Sequence, residues 1–137
     1  MTALDTNILV ALWDRNPSVH VPVRQALDNE LESGGLVICA PVYAELRAGP
    51  GRTDTFLEEF LVATGIEADW DFPALLWRAA GAAFQRHAAA RSSAARPRRI
   101  LADFLIGAHA EHRCGRLLTL DAKLFEKSFP GLSVITA

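Results

Sequence analysis

Sixteen of the 137 residues are acidic, and four of them stand in apolar company. Asp5 follows Ala3-Leu4 directly and precedes Thr6-Asn7, and Asp121 follows Leu117-Leu118-Thr119-Leu120. Each ends a short apolar run of the kind that makes a buried strand. In an open parallel sheet, ligand sites lie just beyond the carboxyl ends of strands. Asp103 interrupts Ile100-Leu101-Ala102-Asp103-Phe104-Leu105-Ile106-Gly107, and Glu45 sits one turn into Pro41-Val42-Tyr43-Ala44-Glu45-Leu46. Carboxylates gathered in one cleft repel: at an effective dielectric near 20, two charges ~5 Å apart cost about 3 kcal/mol. A hard divalent cation resolves that repulsion, and an all-oxygen donor set without a Cys or His cluster favours Mg²⁺ or Mn²⁺ over zinc. Such ions suit phosphodiester cleavage, because they activate a water and stabilise the leaving oxygen. The hydroxyl of Thr119 and the amide of Asn7 are placed to hold the carboxylates or metal-bound water.

Each acid also has a plainer reading. Asp5 suits the N-cap of the helix that follows it. Asp103 suits the favourable end of a helix dipole, and Glu45 alone would pass for a surface residue. The pairing of two strand-end aspartates is stronger than either alone. Of the remaining acids, Asp28, Glu30, Glu32, Glu58 and Glu59 are expected on the solvated sides of amphipathic helices.

The elements that must position these groups follow from hydrophobic spacing. Strands are expected at Thr2–Leu4, Leu36–Cys39, 66–70, Arg116–Thr119 and 132–135. Helices are expected at 7–13, 19–33, from Pro41 toward Gly49, from Asp54 to Gly65, from about Phe72 to an interruption at Ser92-Ser93 and Pro97, at 100–112, and at Ala122–Ser128. The 19–33 helix carries Val19, Val23, Leu27 and Leu31 at helical spacing; that from Asp54 turns Phe56, Leu57, Phe60 and Leu61 inward. Gly107 and Ala110 lie one and two turns beyond Asp103, which lets that helix press close to its neighbours. Strands alternating with helices imply an α/β fold, a central and mostly parallel sheet flanked by helices in three layers. No repeat or boundary divides residues 1–137, so one domain is expected.

Composition sets the frame. Half the chain is hydrophobic and the formal net charge is -2, so bulk charge argues neither for nor against a nucleic-acid partner. Cys39 and Cys114 are too few for a disulfide framework and are expected to be reduced thiols. Neither a leader-like progression nor an apolar run near the ~20 residues of a membrane span is visible, so a cytoplasmic protein is expected.

Taken in order, Leu4-Asp5-Thr6-Asn7, Ala44-Glu45-Leu46, Ala102-Asp103-Phe104-Leu105-Ile106 and Leu118-Thr119-Leu120-Asp121 resemble the successive acidic motifs of PIN domains. The closing Phe129-Pro130-Gly131-Leu132-Ser133-Val134-Ile135 is similar to the tail of VapC-like toxins. Leu120 stands where many relatives carry Arg. The resemblance implies a PIN fold, Mg²⁺- or Mn²⁺-dependent endoribonuclease activity, a homodimer, and inhibition by a small VapB-like antitoxin bound across the site. It makes Asp5, Glu45, Asp103 and Asp121 the catalytic metal-site acids, with Asn7 and Thr119 supporting.

Other signals carry less. Between residues 72 and 102 there is no acid, and Arg96, Arg98 and Arg99 form the densest basic cluster, a candidate for following an RNA backbone. His109 and His112 lack the zinc-protease spacing and are read as structural or exposed. Trp13, Trp70 and Trp77 are read as core or interface rather than base-stacking platforms. A phosphohydrolase with Asp5 as nucleophile would want a second Asp at position 7, which is Asn, and a lysine; the lysines are Lys123 and Lys127. An inactive PIN-like module that only binds RNA or protein is the alternative of another class.

Overall fold

The structure, a computed structural model, describes residues 1–90 and 100–137. Its elements run β1 (Thr2–Leu4), α1 (Thr6–Leu12), α2 (Pro17–Gly34), β2 (Leu36–Cys39), α3 (Ala40–Arg47), α4 (Asp54–Thr64), β3 (Glu67–Asp69), α5 (Ala74–Ala90), α6 (Leu101–Arg113), β4 (Arg116–Thr119), α7 (Ala122–Ser128) and β5 (Ser133–Thr136). The expected alternation is present in full. The expected interruption at Ser92-Ser93 and Pro97 lies outside the described residues, as does the Arg96, Arg98 and Arg99 cluster.

The five strands form one sheet in the order β3-β2-β1-β4-β5, and every pairing is parallel. Ala3 lies opposite Val37 on one side and Leu117 on the other, and Leu117 in turn lies opposite Val134. The central strands β1 and β2 are buried throughout, as is β4 after Arg116, which is why their sequences are continuous apolar runs rather than alternating ones. The edge strand β3 instead carries Glu67 and Asp69, charges that discourage pairing with another chain. The chain winds outward from β1 through β2 to β3, then crosses to β4 on the other side. The direction therefore reverses between β1 and β4, and a crevice opens at the carboxyl ends of those two strands.

Local signals set the helix ends. Thr53 caps α4 through a hydrogen bond from the Phe56 amide, and Gly65 closes it in the left-handed region at φ 71°. Helix α6 is buried from Phe104 through Ala110, with Phe104 stacked on Phe84 of α5 at 4.7 Å between ring centroids. The close approach expected at Gly107 is there: a Cβ on that residue would lie 2.6 Å from Cζ of the buried Phe129. Gly107→Ala is therefore expected to destabilise the fold by about 1–3 kcal/mol through overpacking. Gly81 in α5 has open space at the same point, so Gly81→Ala is expected to stabilise by about 0.5–1 kcal/mol. Urea titration of both variants checks the pair, and equal shifts would mean that Phe129 yields freely.

Several expectations are corrected. Glu30 is not on a solvated face. It is 7% exposed, accepts a 2.6 Å hydrogen bond from the Thr2 hydroxyl, and meets Arg116 through 3.0 Å contacts that tie α2 to the start of β4. Burial acts to raise its pKa, but the Thr2 and Arg116 interactions outweigh burial and hold it below the ordinary value. Leu31 and Phe56, expected inside, are exposed; the helix faces turn so that Val23, Leu27 and Leu57 fill the core. Of the tryptophans read as core or interface, Trp70 and Trp77 are exposed and so not core, which leaves the interface reading, and Trp13 packs between Phe56 and Phe60 with the Arg52 guanidinium over its ring. Both cysteines are free thiols, and burial pushes Cys39 up to about 12, which leaves it a poor nucleophile.

Candidate active site

Four elements deliver the four acids to one place. A cleft of about 360 Å³ is lined by Asp5, Thr6, Asn7, Val10, Glu45, Asp103, Asp121 and Phe125. Asp5 leaves β1 and Asp121 follows β4, the two strands that flank the reversal of winding. Glu45 projects from α3, and Asp103 lies in the first turn of α6. The plainer readings of Asp5 and Asp103 hold as well. Asp5 is the N-cap of α1 and accepts from the Thr6 amide at 2.7 Å, and Asp103 sits at the favourable end of its helix dipole. Capping and site formation are compatible, because a helix N-terminus draws negative charge to the same edge where the strands end.

The supporting residues expected from the sequence are engaged. The Thr119 hydroxyl donates to Asp5 Oδ2 at 2.7 Å while accepting from the Asp121 amide at 2.9 Å, so one hydroxyl ties both strand-end aspartates together. Asn7 Oδ1 accepts from the Leu120 amide at 3.2 Å, which fixes the turn between β4 and Asp121 against α1. Thr6 was not singled out by sequence reasoning, yet its hydroxyl donates to Glu45 Oε1 at 2.6 Å. The signal was its place beside Asp5; its partner 39 residues away is a matter of tertiary structure.

Asp5 carries a clear electrostatic burden. It is 6% exposed, and burial pushes its carboxyl up to about 6. Hydrogen bonds from Thr119 and the Thr6 amide pull the other way, and the charges of Asp103 and Glu45 push it further up. Among the described residues, no three His, Cys, Asp or Glu side chains close into a ready-made metal cage. The donor set is nonetheless all oxygen and lines an open cleft, which suits a hard cation that keeps part of its own water shell.

A second polar pair, not foreseen, lies elsewhere on the carboxyl side of the sheet. His109 of α6 is 1% exposed, and its Nε2 lies 3.0 Å from Oδ2 of Asp69 at the end of β3. Burial lowers the pKa of His109 against the opposing pull of Asp69, so the contact is a hydrogen bond from a neutral imidazole rather than an ion pair. This settles the two histidines as expected: His109 is structural and His112 is exposed.

Comparison with known proteins agrees with this architecture. A search of curated proteins gives no match. Among solved structures, the chain is similar to one from VapBC2 of Rickettsia felis bound to a promoter DNA fragment, at 23% identity and TM-score 0.69, covering 98% of this chain and 97% of that one. It is similar to FitAcB from Neisseria gonorrhoeae at 22% identity and TM-score 0.68, covering 98% and 96%. A chain of FitAB bound to a DNA fragment aligns at 20% identity and TM-score 0.68, covering 99% and 94%. The family model for the PIN domain matches residues 2–130, a span that contains Asp5, Glu45, Asp103 and Asp121, so the chain belongs to the PIN domain family.

Proposed function

We propose that the protein is a Mg²⁺- or Mn²⁺-dependent endoribonuclease and the toxin of a toxin–antitoxin pair. The observation that carries this reading is the convergence of Asp5, Glu45, Asp103 and Asp121 on one cleft at the reversal of strand order. These four acids would hold the ion directly or through its waters, with Thr119 fixing Asp5 and Asn7 fixing the turn into Asp121. The bound ion supplies an activated water and a counter-charge for the leaving oxygen of an RNA phosphodiester. PIN domains are in general nucleases, and the retention of every acid supports hydrolysis over binding alone.

The antitoxin half of the reading rests on the resemblance of the motifs and on the likeness to VapBC2 and FitAB chains. Physically, a metal-free acidic cleft attracts the guanidinium fork of an Arg, which bridges two carboxylates. Val42 and Leu46 are core residues, so a partner helix cannot seat on them. A cleft of about 340 Å³ lined by Leu12, Leu27, Leu31 and Ile66, with Arg24 and Asp28 also in its lining, is the better seat for an amphipathic helix. The exposed apolar side chains of Trp70, Leu75 and Trp77 support a homodimer. No helix among the described residues is long and apolar enough to cross a membrane.

The test is to incubate purified protein with total RNA, with and without Mn²⁺, and to map new ends. New ends that depend on metal are expected. RNA bound but uncut at millimolar Mn²⁺ would replace this reading with an inactive PIN-like binding module.

A further inference from the structure

We infer that Thr6 is a positioning residue that locks Glu45 and Asp5 into one geometry for the ion; this rests on the metal-site reading above. Thr6 occupies the first position of α1, half-buried in the wall of the cleft. Its backbone N–H donates to Asp5 Oδ1 at 2.7 Å and its hydroxyl donates to Glu45 Oε1 at 2.6 Å. One residue therefore grips two acids that arrive from different elements, one from the end of β1 and one from the middle of α3.

The two grips are not equivalent. Asp5 is short, sits on the end of a strand and has a second anchor in Thr119. Glu45 has a longer side chain whose charged head is free to sample several rotamers from a helix surface. Among the described residues, the hydrogen bond that the structure gives its carboxylate is the one from Thr6. An O–H donor at 2.6 Å from a carboxylate oxygen is a short, charge-assisted bond. It engages Oε1 and so fixes the orientation of the carboxylate in the wall of the cleft. A hydroxyl is required here rather than any polar group: an amide or amine at position 6 would be larger, and an apolar side chain would release Glu45. Partners of this kind, which orient a metal-binding side chain without touching the metal, typically change affinity by about 10–100-fold when removed.

The experiment titrates Mn²⁺ into wild-type protein and the Thr6→Val, Thr6→Ala and Thr6→Ser variants by calorimetry, without RNA. Thr6→Val keeps the branched shape and removes the donor, Thr6→Ala guards against a packing artefact of valine, and Thr6→Ser keeps the donor. The expected result is a loss of about tenfold in Mn²⁺ affinity for Val and Ala, with Ser restored close to wild type. In the metal-free proteins, ¹³C relaxation at Glu45 Cγ is expected to show greater mobility for Val and Ala than for wild type and Ser. Placing Thr6→Val in a Glu45→Ala background should add no further loss, since the acceptor of the bond is then gone. Wild-type and Val proteins that bind Mn²⁺ equally, or a Ser variant as weak as Val, would overturn the role of Thr6 while leaving the metal site standing. Wild-type protein that binds no Mn²⁺ would overturn the site reading itself and this inference with it.

Discussion

Asp5→Asn is expected to abolish RNA cleavage and at the same time to make the metal-free protein more stable at neutral pH. The two effects have one cause. Asp5 is a buried acid whose carboxyl is raised to about 6 from an ordinary 3.8. An acid raised in the folded state contributes full stability below its unfolded pKa, and that contribution is lost as pH rises through the folded value. Here the window runs from about pH 4 to about pH 6, and above it the ionised group burdens the fold by about 3 kcal/mol. Asparagine is neutral at every pH. Its oxygen can still accept from the Thr6 amide as the N-cap of α1, and its amide nitrogen can donate to the Thr119 hydroxyl. That hydroxyl must then find another acceptor, which takes back part of the gain. A net stabilisation of about 1–2 kcal/mol at pH 7.5 corresponds to a rise in melting temperature of roughly 3–8 °C for a chain of this size. The rise should vanish near pH 4, where wild-type Asp5 is largely protonated. Thermal scans of both proteins in chelator at the two pH values check this, beside cleavage assays with Mn²⁺. A folded variant that still cuts RNA would remove Asp5 from the site. A variant destabilised equally at both pH values would show that the carboxylate is a structural anchor rather than a strained ligand.

The same residue shows what a sequence discloses and what it withholds. Asp5 and Asp121 were legible as residues of one edge of the sheet, where they line the cleft, because strand ends and helix starts are local events. Leu4-Asp5-Thr6 and Leu120-Asp121-Ala122 mark those boundaries without any knowledge of the rest of the chain. Gly107 was legible for the same reason, since helical spacing alone predicts a close approach, although not that Phe129 makes it. Partners far apart in sequence were not legible. Glu30 occupies a helix position that spacing assigns to solvent, and only the arrival of Arg116, 86 residues later, makes its burial affordable. Asp69 and His109, 40 residues apart, and Thr6 and Glu45, 39 apart, repeat the lesson. Periodicity assigns a side chain to a face. It does not say which charge or hydroxyl waits on the element packed against that face.

Divalent metal is expected to raise the melting temperature at pH 7.5, and the rise is expected to collapse as pH falls below about 6. An ion that binds the native state stabilises it by mass action, about 2.7 kcal/mol at a hundredfold excess over its dissociation constant. Held among these acids, the ion would also offset the repulsion that Glu45 and Asp103 exert on Asp5. Protons compete for the same carboxylate. Once Asp5 is protonated the site loses its most buried charge, and affinity falls with each further drop in pH. The fold has another acid-sensitive element that must be separated from this one. Burial holds His109 below its ordinary value of 6.5, so the stability tied to its neutral form is present above 6.5 and is lost as pH falls. Asp69 is held below 3.8 despite burial, by the hydrogen bonds from His109 and the Asp71 amide; its contribution is lost only at lower pH still. On acidification the metal-free protein therefore gains stability as Asp5 is protonated and loses it as His109 is protonated, and only the second contribution is expected to be His109→Gln-sensitive. The difference between metal-loaded and metal-free scans isolates the cleft, because Asp69 and His109 do not line it. The decisive comparison is that difference at pH 7.5 and at pH 5, measured with Mn²⁺ and with monovalent salt of equal ionic strength. A difference that persists unchanged at pH 5, or that monovalent salt reproduces, would show that the ion screens surface charge and does not bind the four acids.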